Sequence, residues 1–379
     1  MEKIYYLDNA ATTKVFDEEF DLIKDLNNDF FYNPSASYKQ SINVSKKYNL
    51  ARNSITKLLK GDSGKFYFVS SATEANNTIF EGLHLRPGDE ILISKAEHPS
   101  VYNAAHRLEK KGIIIKDIPL TSAGVVDFEE YKKLLSSKVV LVSIIHVSNE
   151  TGAINDIKTL SEYAKNFNSN IKFHSDGVQA FGKIKVNLKE LGVDLYTISA
   201  HKVYSFRGIA GLWVNRGVVI DPLLVGGGQE ENFRSSTENV YGAIAFAYAA
   251  EKVSKDIDKN YEIVKNYRKQ LIQKLMASKI SSMIKVNGLE NSSPYILSLS
   301  FSGIKGEVLM YSLESDNVLI STGSACSAKK AGNRTLEAMG LDSEFVIGSV
   351  RISFSPYMEY DLDYVAASIE KNVLRFKKN

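Results

Sequence analysis

The chain has 379 residues, 44% of them hydrophobic and 24% charged, which is ordinary for a globular protein with a substantial core. Its formal net charge of +3 gives no argument for a nucleic-acid partner or an anionic membrane surface. A single cysteine, Cys326, excludes an intrachain disulfide and any metal site built only of cysteines in one chain.

The start of the chain lacks the features of a targeting segment. Residues 1–6 have neither the basic stretch nor the apolar core of a signal peptide, and no apolar run approaches the length of a membrane helix. The sequence therefore predicts a protein of the reducing cytoplasm.

From about residue 65 to 215, short β-rich apolar runs alternate with helix-patterned segments, which predicts a mostly parallel sheet wrapped by helices. The predicted strands are Lys65–Val69, Glu90–Ser94, Val139–Val147, Ile171–His174, Leu195–Ser199 and Ile209–Val214. The helices predicted between them include Thr73–Leu83, Ser100–Lys111 and Ile157–Asn166.

The pattern changes after about residue 255. A charged helical stretch, Lys255–Ala277, precedes three apolar runs and two further helices. The runs are Tyr295–Phe301, Val318–Thr322 and Val350–Phe354, and the helices lie near Gly306–Glu314 and Asp361–Lys377. This order predicts a smaller α+β domain after the larger one.

Polar residues follow five of the predicted strands, where an open parallel sheet binds its ligands. After the first of these strands, Ser71 and Ala72 precede a helix starting near Thr73, and free N–H groups at such a start suit a phosphate monoester. Ser71 or Thr73 could instead be only a helix cap. Because neither GxGxxG nor a P-loop is present, a small phosphorylated cofactor is favoured over a dinucleotide.

Asp176 and Lys202 follow later strands and are the two groups that pyridoxal phosphate requires. Lysine forms the Schiff base, and aspartate keeps the pyridine nitrogen protonated. A buried ion pair or two unrelated surface charges are the alternatives. His98, after another strand, could relay protons over the ring or could be only a solvated or capping residue. The spacing of the six histidines argues against a metal site.

Two residues near the C-terminus are further candidates. Cys326 lies among small and basic residues, where a thiol can become a nucleophilic thiolate, although most lone cysteines are inert and buried. Arg351 is a charge within an apolar run. It predicts either a grip on a substrate carboxylate or a structural salt bridge.

Several motifs, in order along nearly the whole chain, resemble those of the cysteine desulfurases of the NifS/IscS type. These enzymes belong to the class V aminotransferase group of fold-type I pyridoxal-phosphate enzymes. The motifs are Leu7-Asp8-Asn9-Ala10-Ala11-Thr12-Thr13, Ala72-Thr73-Glu74-Ala75-Asn76-Asn77, Glu97-His98-Pro99, Asn149-Glu150-Thr151-Gly152, Asp176-Gly177-Val178-Gln179, Ser199-Ala200-His201-Lys202, Gly226-Gly227-Gly228-Gln229-Glu230 and Gly323-Ser324-Ala325-Cys326.

The resemblance implies an α/β fold with a large cofactor domain, residues 15–255, built on a mainly parallel seven-stranded sheet flanked by helices. Residues 1–14 and 256–379 would form a small α+β domain that carries the cysteine loop.

The resemblance also implies residue roles. Lys202 would be the Schiff-base lysine, His98 would stack on the ring, Asp176 would pair with its nitrogen and Gln179 would face its phenolic oxygen. The phosphate would be held at the turn of Ala72 and Thr73 by Thr73, Ser199 and His201, together with Thr237 from the partner of a homodimer. Asn149 and Arg351 would bind the carboxylate of L-cysteine, and Cys326 would accept the sulfur.

The activity implied is conversion of L-cysteine to L-alanine with a persulfide on Cys326, whose sulfur would pass to a protein acceptor in iron–sulfur cluster assembly or tRNA thiolation. Selenocysteine lyase, another class V enzyme such as a transaminase, and a degenerate binding scaffold are the alternatives. Some positions depart from the family pattern, including Ser205-Phe206-Arg207, where Gly-Pro-Lys is common, and Ser355-Pro356, where Leu-Gly is frequent.

Overall fold

The computed structural model describes residues 3–288, 292–322 and 333–377. Cys326 lies outside the described residues. The strands, in chain order, are β1 (Tyr5–Tyr6), β2 (Gly64–Val69), β3 (Glu90–Ser94), β4 (Ile114–Ile118), β5 (Val139–Ser143), β6 (Lys172–Asp176), β7 (Leu195–Ser199), β8 (Ala210–Asn215), β9 (Ile284–Asn287), β10 (Ile296–Phe301), β11 (Val318–Leu319) and β12 (Ser349–Ser353). The helices are α1 (Glu18–Asp29), α2 (Lys39–Leu58), α3 (Ala72–Gly82), α4 (Pro99–Arg107), α5 (Phe128–Leu134), α6 (Ile157–Phe167), α7 (Leu188–Leu191), α8 (Val240–Lys255), α9 (Ile257–Met276), α10 (Gly306–Glu314), α11 (Arg334–Ala338), α12 (Ser343–Ile347) and α13 (Leu362–Lys377).

Strands β2 to β8 form one seven-stranded sheet in the order β2-β8-β7-β6-β5-β3-β4. Strands β3 to β7 pair in parallel, whereas β8 runs antiparallel between β2 and β7. Every residue of β3 and of β7 is buried, as expected for central strands covered by helices on both faces. The expected seven-stranded, mainly parallel sheet is confirmed.

The C-terminal part of the chain forms a second, antiparallel sheet in the order β12-β10-β9. The N-terminal strand β1 pairs with β11 of this part, through Tyr5 with Val318 and Tyr6 with Leu319. A separate apolar cluster fills this region, centred on Leu7, Leu299, Phe301 and Ile352. The first residues of the chain therefore pack with its last third.

The sequence patterns missed or misjudged some boundaries. The apolar run predicted as the strand Val139–Val147 is a strand only to Ser143, because the rest enters a folded loop closed by the Val147–Ile154 bridge. The edge strand β4 was not predicted, since most of its residues are only partly buried and two are charged. The helix predicted over Lys255–Ala277 begins at Ile257, after α8 ends at Lys255.

Glu19, near the start of α1, is a fully buried carboxyl group with 0% exposure. Ser205 Oγ donates to Glu19 Oε2 over 3.0 Å, and no donor within the described residues reaches Oε1. Burial raises the pKa of Glu19 to about 8 from its ordinary 4.5. The folded protein therefore keeps a proton on Glu19 at neutral pH that the unfolded chain releases.

We expect Glu19→Gln to stabilise the protein at alkaline pH. Because the folded-state pKa is raised, the wild type should lose stability relative to this variant as the pH rises from 4.5 to about 8. Above that window the difference in free energy of unfolding should be about 1–3 kcal/mol, the typical cost of a buried polar group that lacks a partner. Urea unfolding of both proteins, inside and on either side of the window, measures this difference.

The matched control is Glu18→Gln, which changes the adjacent, exposed carboxylate on the same turn. That variant should show no gain in stability at alkaline pH. If the difference in free energy of unfolding between the wild type and Glu19→Gln did not change with pH, the raised pKa of Glu19 would be contradicted.

Candidate active site

A cavity of about 420 Å³ opens at the edge of the large sheet where β2, β6 and β7 end. This volume lies within the range of small-molecule sites. All of the site residues predicted from the sequence line this cavity except Thr237 and Cys326. They are Ala72, Thr73, His98, Asn149, Asp176, Gln179, Ser199, His201, Lys202 and Arg351.

Thr237 lines a smaller neighbouring cavity of about 210 Å³ instead. The two cavities adjoin, since Ser70, Gly208 and Ile209 line both. Cys326 lies outside the described residues, so the structure does not place it.

Asp176 ends β6 as a buried carboxylate held from two sides. Val178 N donates to Oδ1 over 3.0 Å and Asn76 Nδ2 donates to Oδ2 over 3.1 Å. The next residue, Gly177, must lack a side chain because a Cβ there would lie 2.1 Å from the Tyr196 ring. These contacts fix the carboxylate at the floor of the cavity.

His98 is the N-cap of α4, and its neighbours determine its tautomer. Ser100 N donates to His98 Nδ1 over 3.1 Å, so Nδ1 carries a lone pair and the proton of the neutral ring is on Nε2. Ser100 Oγ lies 2.8 Å from the same nitrogen and accepts from Asn76 Nδ2. Burial lowers the pKa of His98, Asp176 opposes this, and Lys202 adds to the lowering. The ring is therefore neutral near pH 7 and connects to Asp176 through Ser100 and Asn76.

Lys202 lies in a short 3₁₀ turn directly after β7. Its Nζ donates to the carbonyl of Ala10 over 2.7 Å and to that of Ala11. The N-terminal segment also contacts His201, whose carbonyl accepts from Thr13 N over 3.0 Å. The first residues of the chain thus cross the lysine turn and orient the amine.

The start of α3 forms another wall of the cavity. Ser71 is the N-cap and accepts from Glu74 N over 3.1 Å. The first N–H groups of a helix have no partner within it, which leaves those of Ala72 and Thr73 available to an anion. Burial, with Lys202 and Arg207 acting in the same direction, lowers the pKa of His201 to about 3, so His201 is a neutral donor or acceptor there.

Arg351, in the centre of β12, reaches the opposite side of the cavity. Its guanidinium donates to the carbonyl of Asn149 over 3.0 Å and forms an ion pair with Asp8 at 2.9 Å. Its Nε has no partner within the described residues although it is buried. The structural salt bridge, one of the two interpretations of Arg351 from the sequence, is present as the pair with Asp8. The Nε of Arg351 remains as a donor for a ligand.

Sequence reasoning missed several buried polar groups around the cavity. Burial raises the pKa of Glu97 well above its usual value, and the nearby Asp176 adds to the rise. Burial also raises the pKa of Glu150, although Arg351 opposes this, and Glu150 accepts from Asn333 over 3.0 Å. Lys183 lies below Gln179 and donates to its Oε1. The sequence signals for Glu97 and Glu150 were their neighbours His98 and Asn149. Lys183 lies only four residues from Gln179, but nothing in the sequence indicated that it is buried.

Within residues 3–288, 292–322 and 333–377, no group of three or more His, Cys, Asp or Glu side chains could hold a metal ion. The helices in the same ranges include none that is long and apolar enough to cross a membrane.

Comparison with known proteins gives a consistent result over the whole chain. Residues 5–364 match the aminotransferase class-V family. The chain is 36% identical to the cysteine desulfurase IscS of Dictyoglomus turgidum, covering 98% of this chain and 96% of that protein. It is 33% identical to the cysteine desulfurase IscS 1 of Archaeoglobus fulgidus, covering 93% and 92%.

Solved structures agree with the sequence relatives. A NifS-like protein superposes with a TM-score of 0.90 at 31% identity, covering 99% of this chain and all of that one. SspA, solved in complex with cysteine, superposes with a TM-score of 0.77 at 25% identity, covering 94% of this chain.

Proposed function

We propose a specific reaction for this chain, which belongs to the aminotransferase class-V family and is a cysteine desulfurase of the NifS/IscS type. The chain would use pyridoxal 5'-phosphate to convert L-cysteine to L-alanine and would leave a persulfide on Cys326. The observation that carries the proposal is the convergence of Lys202, Asp176 and Arg351 on one cavity. The reaction balances without another reactant, since cysteine plus the Cys326 thiol gives alanine plus the Cys326 persulfide.

The donor set of the cavity fits pyridoxal phosphate. The free N–H groups of Ala72 and Thr73, with Ser199 and His201, would hold the phosphate. Asp176 is a buried carboxylate suited to the ring nitrogen, Gln179 is suited to the phenolic oxygen and Lys202 supplies the amine that joins the aldehyde. Each of these side chains lines the cavity.

When bound, pyridoxal phosphate supplies an electron sink for charge that develops at the substrate Cα. Lys202 would take the Cα proton and return one, since its amine lies against the cavity at the Ala10 and Ala11 carbonyls. His98 would present its Nε2 proton to the cavity because Ser100 occupies Nδ1.

Arg351 and Asn149 would bind the substrate carboxylate. The unpartnered Nε of Arg351 supports this role, because a buried donor without an acceptor is costly in the absence of a ligand. Asp8 holds one side of the guanidinium at 2.9 Å and so fixes its plane.

We expect Arg351→Lys to raise the KM for L-cysteine by about 10- to 100-fold, with a smaller change in kcat. Lysine keeps the positive charge but cannot make the paired, planar contacts that a guanidinium makes with a carboxylate. Steady-state kinetics with L-cysteine measure this change. Arg216→Lys is the control, because Arg216 is exposed, directly follows β8 and does not line the cavity. An unchanged KM in Arg351→Lys would contradict the role.

The residues that flank positions 323–332 support the role of Cys326 as sulfur acceptor. Ser321 and Arg351 exchange backbone hydrogen bonds of 3.1 and 2.6 Å, and Asn333 donates to Glu150 beside Asn149. Both flanks are therefore fixed to residues that line the cavity.

We place Thr237 at the phosphate of the partner subunit in a homodimer. Its position in the adjoining cavity, outside the one that holds Lys202, supports this placement. Val225, before the glycines 226–228, is 81% exposed, as a residue covered by a second subunit would be in one chain alone. We also propose a large domain of residues 15–255 and a small one of 1–14 and 256–379, supported by the β1–β11 pairing.

The persulfide sulfur would pass to an acceptor protein of iron–sulfur cluster assembly or of tRNA thiolation. With one cysteine in the chain, no second thiol within it can resolve the persulfide. Release therefore needs an external acceptor or a reductant.

Turnover of three substrates tests the proposed function. Purified protein with pyridoxal phosphate should produce alanine and reductant-released sulfide from L-cysteine. A strong preference for L-selenocysteine would favour a selenocysteine lyase, and amino transfer between a donor and a keto acid would favour a transaminase. Absence of turnover with every substrate would contradict the proposal.

A further inference from the structure

Lys183 is a lysine buried below the cavity, with 4% exposure. It follows β6 by seven residues, and no carboxylate within the described residues pairs with it. The ring of Tyr295 lies 5.8 Å from its Nζ. Burial lowers the pKa of Lys183 to about 7, and the charges of Lys202 and Arg351 act in the same direction. Burying a charged ammonium group without a carboxylate partner costs free energy, and such buried ionisable groups often have a functional role.

Lys183 Nζ has one hydrogen-bond partner in the described part of the chain, the Oε1 of Gln179. The other end of that amide, Nε2, donates to the Ala10 carbonyl over 2.9 Å. A lysine amine can donate to Oε1 whether it is charged or neutral, and the Ala10 carbonyl can only accept, so this orientation of the amide satisfies both partners. Lys183 and Ala10 together therefore fix which end of Gln179 is the donor.

The orientation matters because Gln179 lines the cavity. Its Nε2 carries two hydrogens, of which Ala10 takes one. Among the residues that the structure describes, no acceptor binds the second hydrogen. A ligand oxygen beside Gln179 would therefore meet a donor. If the amide were reversed, the ligand oxygen would face the lone pairs of Oε1, which would repel it.

We propose that Lys183 is a positioning residue that locks the Gln179 side chain with its NH₂ group toward the cavity, so that Gln179 donates to an ionised oxygen of the bound cofactor ring. This inference rests on the proposed function, because it assigns the ring oxygen of pyridoxal phosphate to Gln179. Lys183 acts only through Gln179 and touches no reactant.

Lys183→Met tests the proposal, because methionine fills a similar volume and removes the donor. We expect cofactor binding to weaken about 10-fold and the pH midpoint of the bound cofactor's visible absorbance to rise by about one unit, since the ionised ring oxygen loses a donor. Lys183→Gln keeps an N–H donor and should stay near the wild type in both measurements. Lys185→Met, two residues away with 74% side-chain exposure, is the matched control and should change neither.

A double-variant cycle separates this role from a structural one. In a Gln179→Met background, adding Lys183→Met should change neither cofactor affinity nor the absorbance midpoint, because the residue through which Lys183 acts is gone. Thermal unfolding of each variant identifies any loss of folding.

Two results would overturn the inference. The first is a folded Lys183→Met protein whose absorbance midpoint equals that of the wild type. The second is a Lys183→Met substitution that shifts the midpoint equally in the wild-type and Gln179→Met backgrounds. A wild-type protein that binds no pyridoxal phosphate would overturn the proposed function as well, which distinguishes the two failures.

Discussion

Replacing Lys202 with alanine is expected to lower L-cysteine turnover by at least about 10³-fold and to abolish covalent attachment of the cofactor. Lys202 is the lysine of the cavity turn, and its amine is oriented by the Ala10 and Ala11 carbonyls. Lys183 is also near the cavity, but it donates to Gln179 Oε1 and does not line the cavity. Among the residues that the structure describes, no second lysine lines the cavity to replace Lys202.

Alanine release and borohydride trapping of the cofactor measure the two effects separately. Lys202→Arg is the informative companion, because it keeps the positive charge and the hydrogen-bonding capacity but cannot join an aldehyde. We expect it to be as inactive as Lys202→Ala. If either variant kept more than a tenth of wild-type turnover, the assignment of Lys202 would be wrong.

Cys326→Ala is expected to remove sulfur transfer almost completely, with a loss of about 10²- to 10³-fold in alanine formation. The physical reason is that the C–S bond of the substrate breaks when a thiolate takes the sulfur, and the chain holds only one cysteine. Cys326→Ser should behave in the same way, because a hydroxyl is a much weaker nucleophile toward sulfur. Cofactor binding should remain at the wild-type level in both variants, which serves as the control for folding.

Retention of full turnover by Cys326→Ala would show that sulfur leaves without a protein nucleophile. Such a result would favour a lyase that releases its product directly, or a transaminase that needs no thiol.

The strands of the large sheet were readable from the sequence because central strands, buried on both faces, are continuous apolar runs. β3, β5 and β7 were predicted at their observed starts for this reason. β4 was missed because an edge strand is half exposed and carries charges such as Lys116 and Asp117. Apolar character also continued past Ser143 into a buried loop, which sequence patterns cannot separate from a strand.

Much of the site followed from one rule, that ligands of a parallel sheet lie beyond the carboxyl ends of its strands. The rule pointed to Asp176 and Lys202, which both line the cavity, but it could not find their partners. Asn76 is 100 residues from Asp176, and Asp8 is 343 residues from Arg351. Such pairs arise only from the tertiary fold, so spacing in the sequence carries no signal for them. Lys183 was missed for a related reason, since a lone lysine on a turn usually lies in solvent.

The most direct test of the account is to follow the sulfur atom itself. The enzyme with bound pyridoxal phosphate is mixed with one equivalent of L-cysteine carrying an isotope-labelled sulfur, and its peptides are analysed by mass spectrometry without reductant. We predict that the peptide containing Cys326 gains one labelled sulfur atom for each alanine formed. Alanine formed without labelled sulfur on Cys326 would contradict the account.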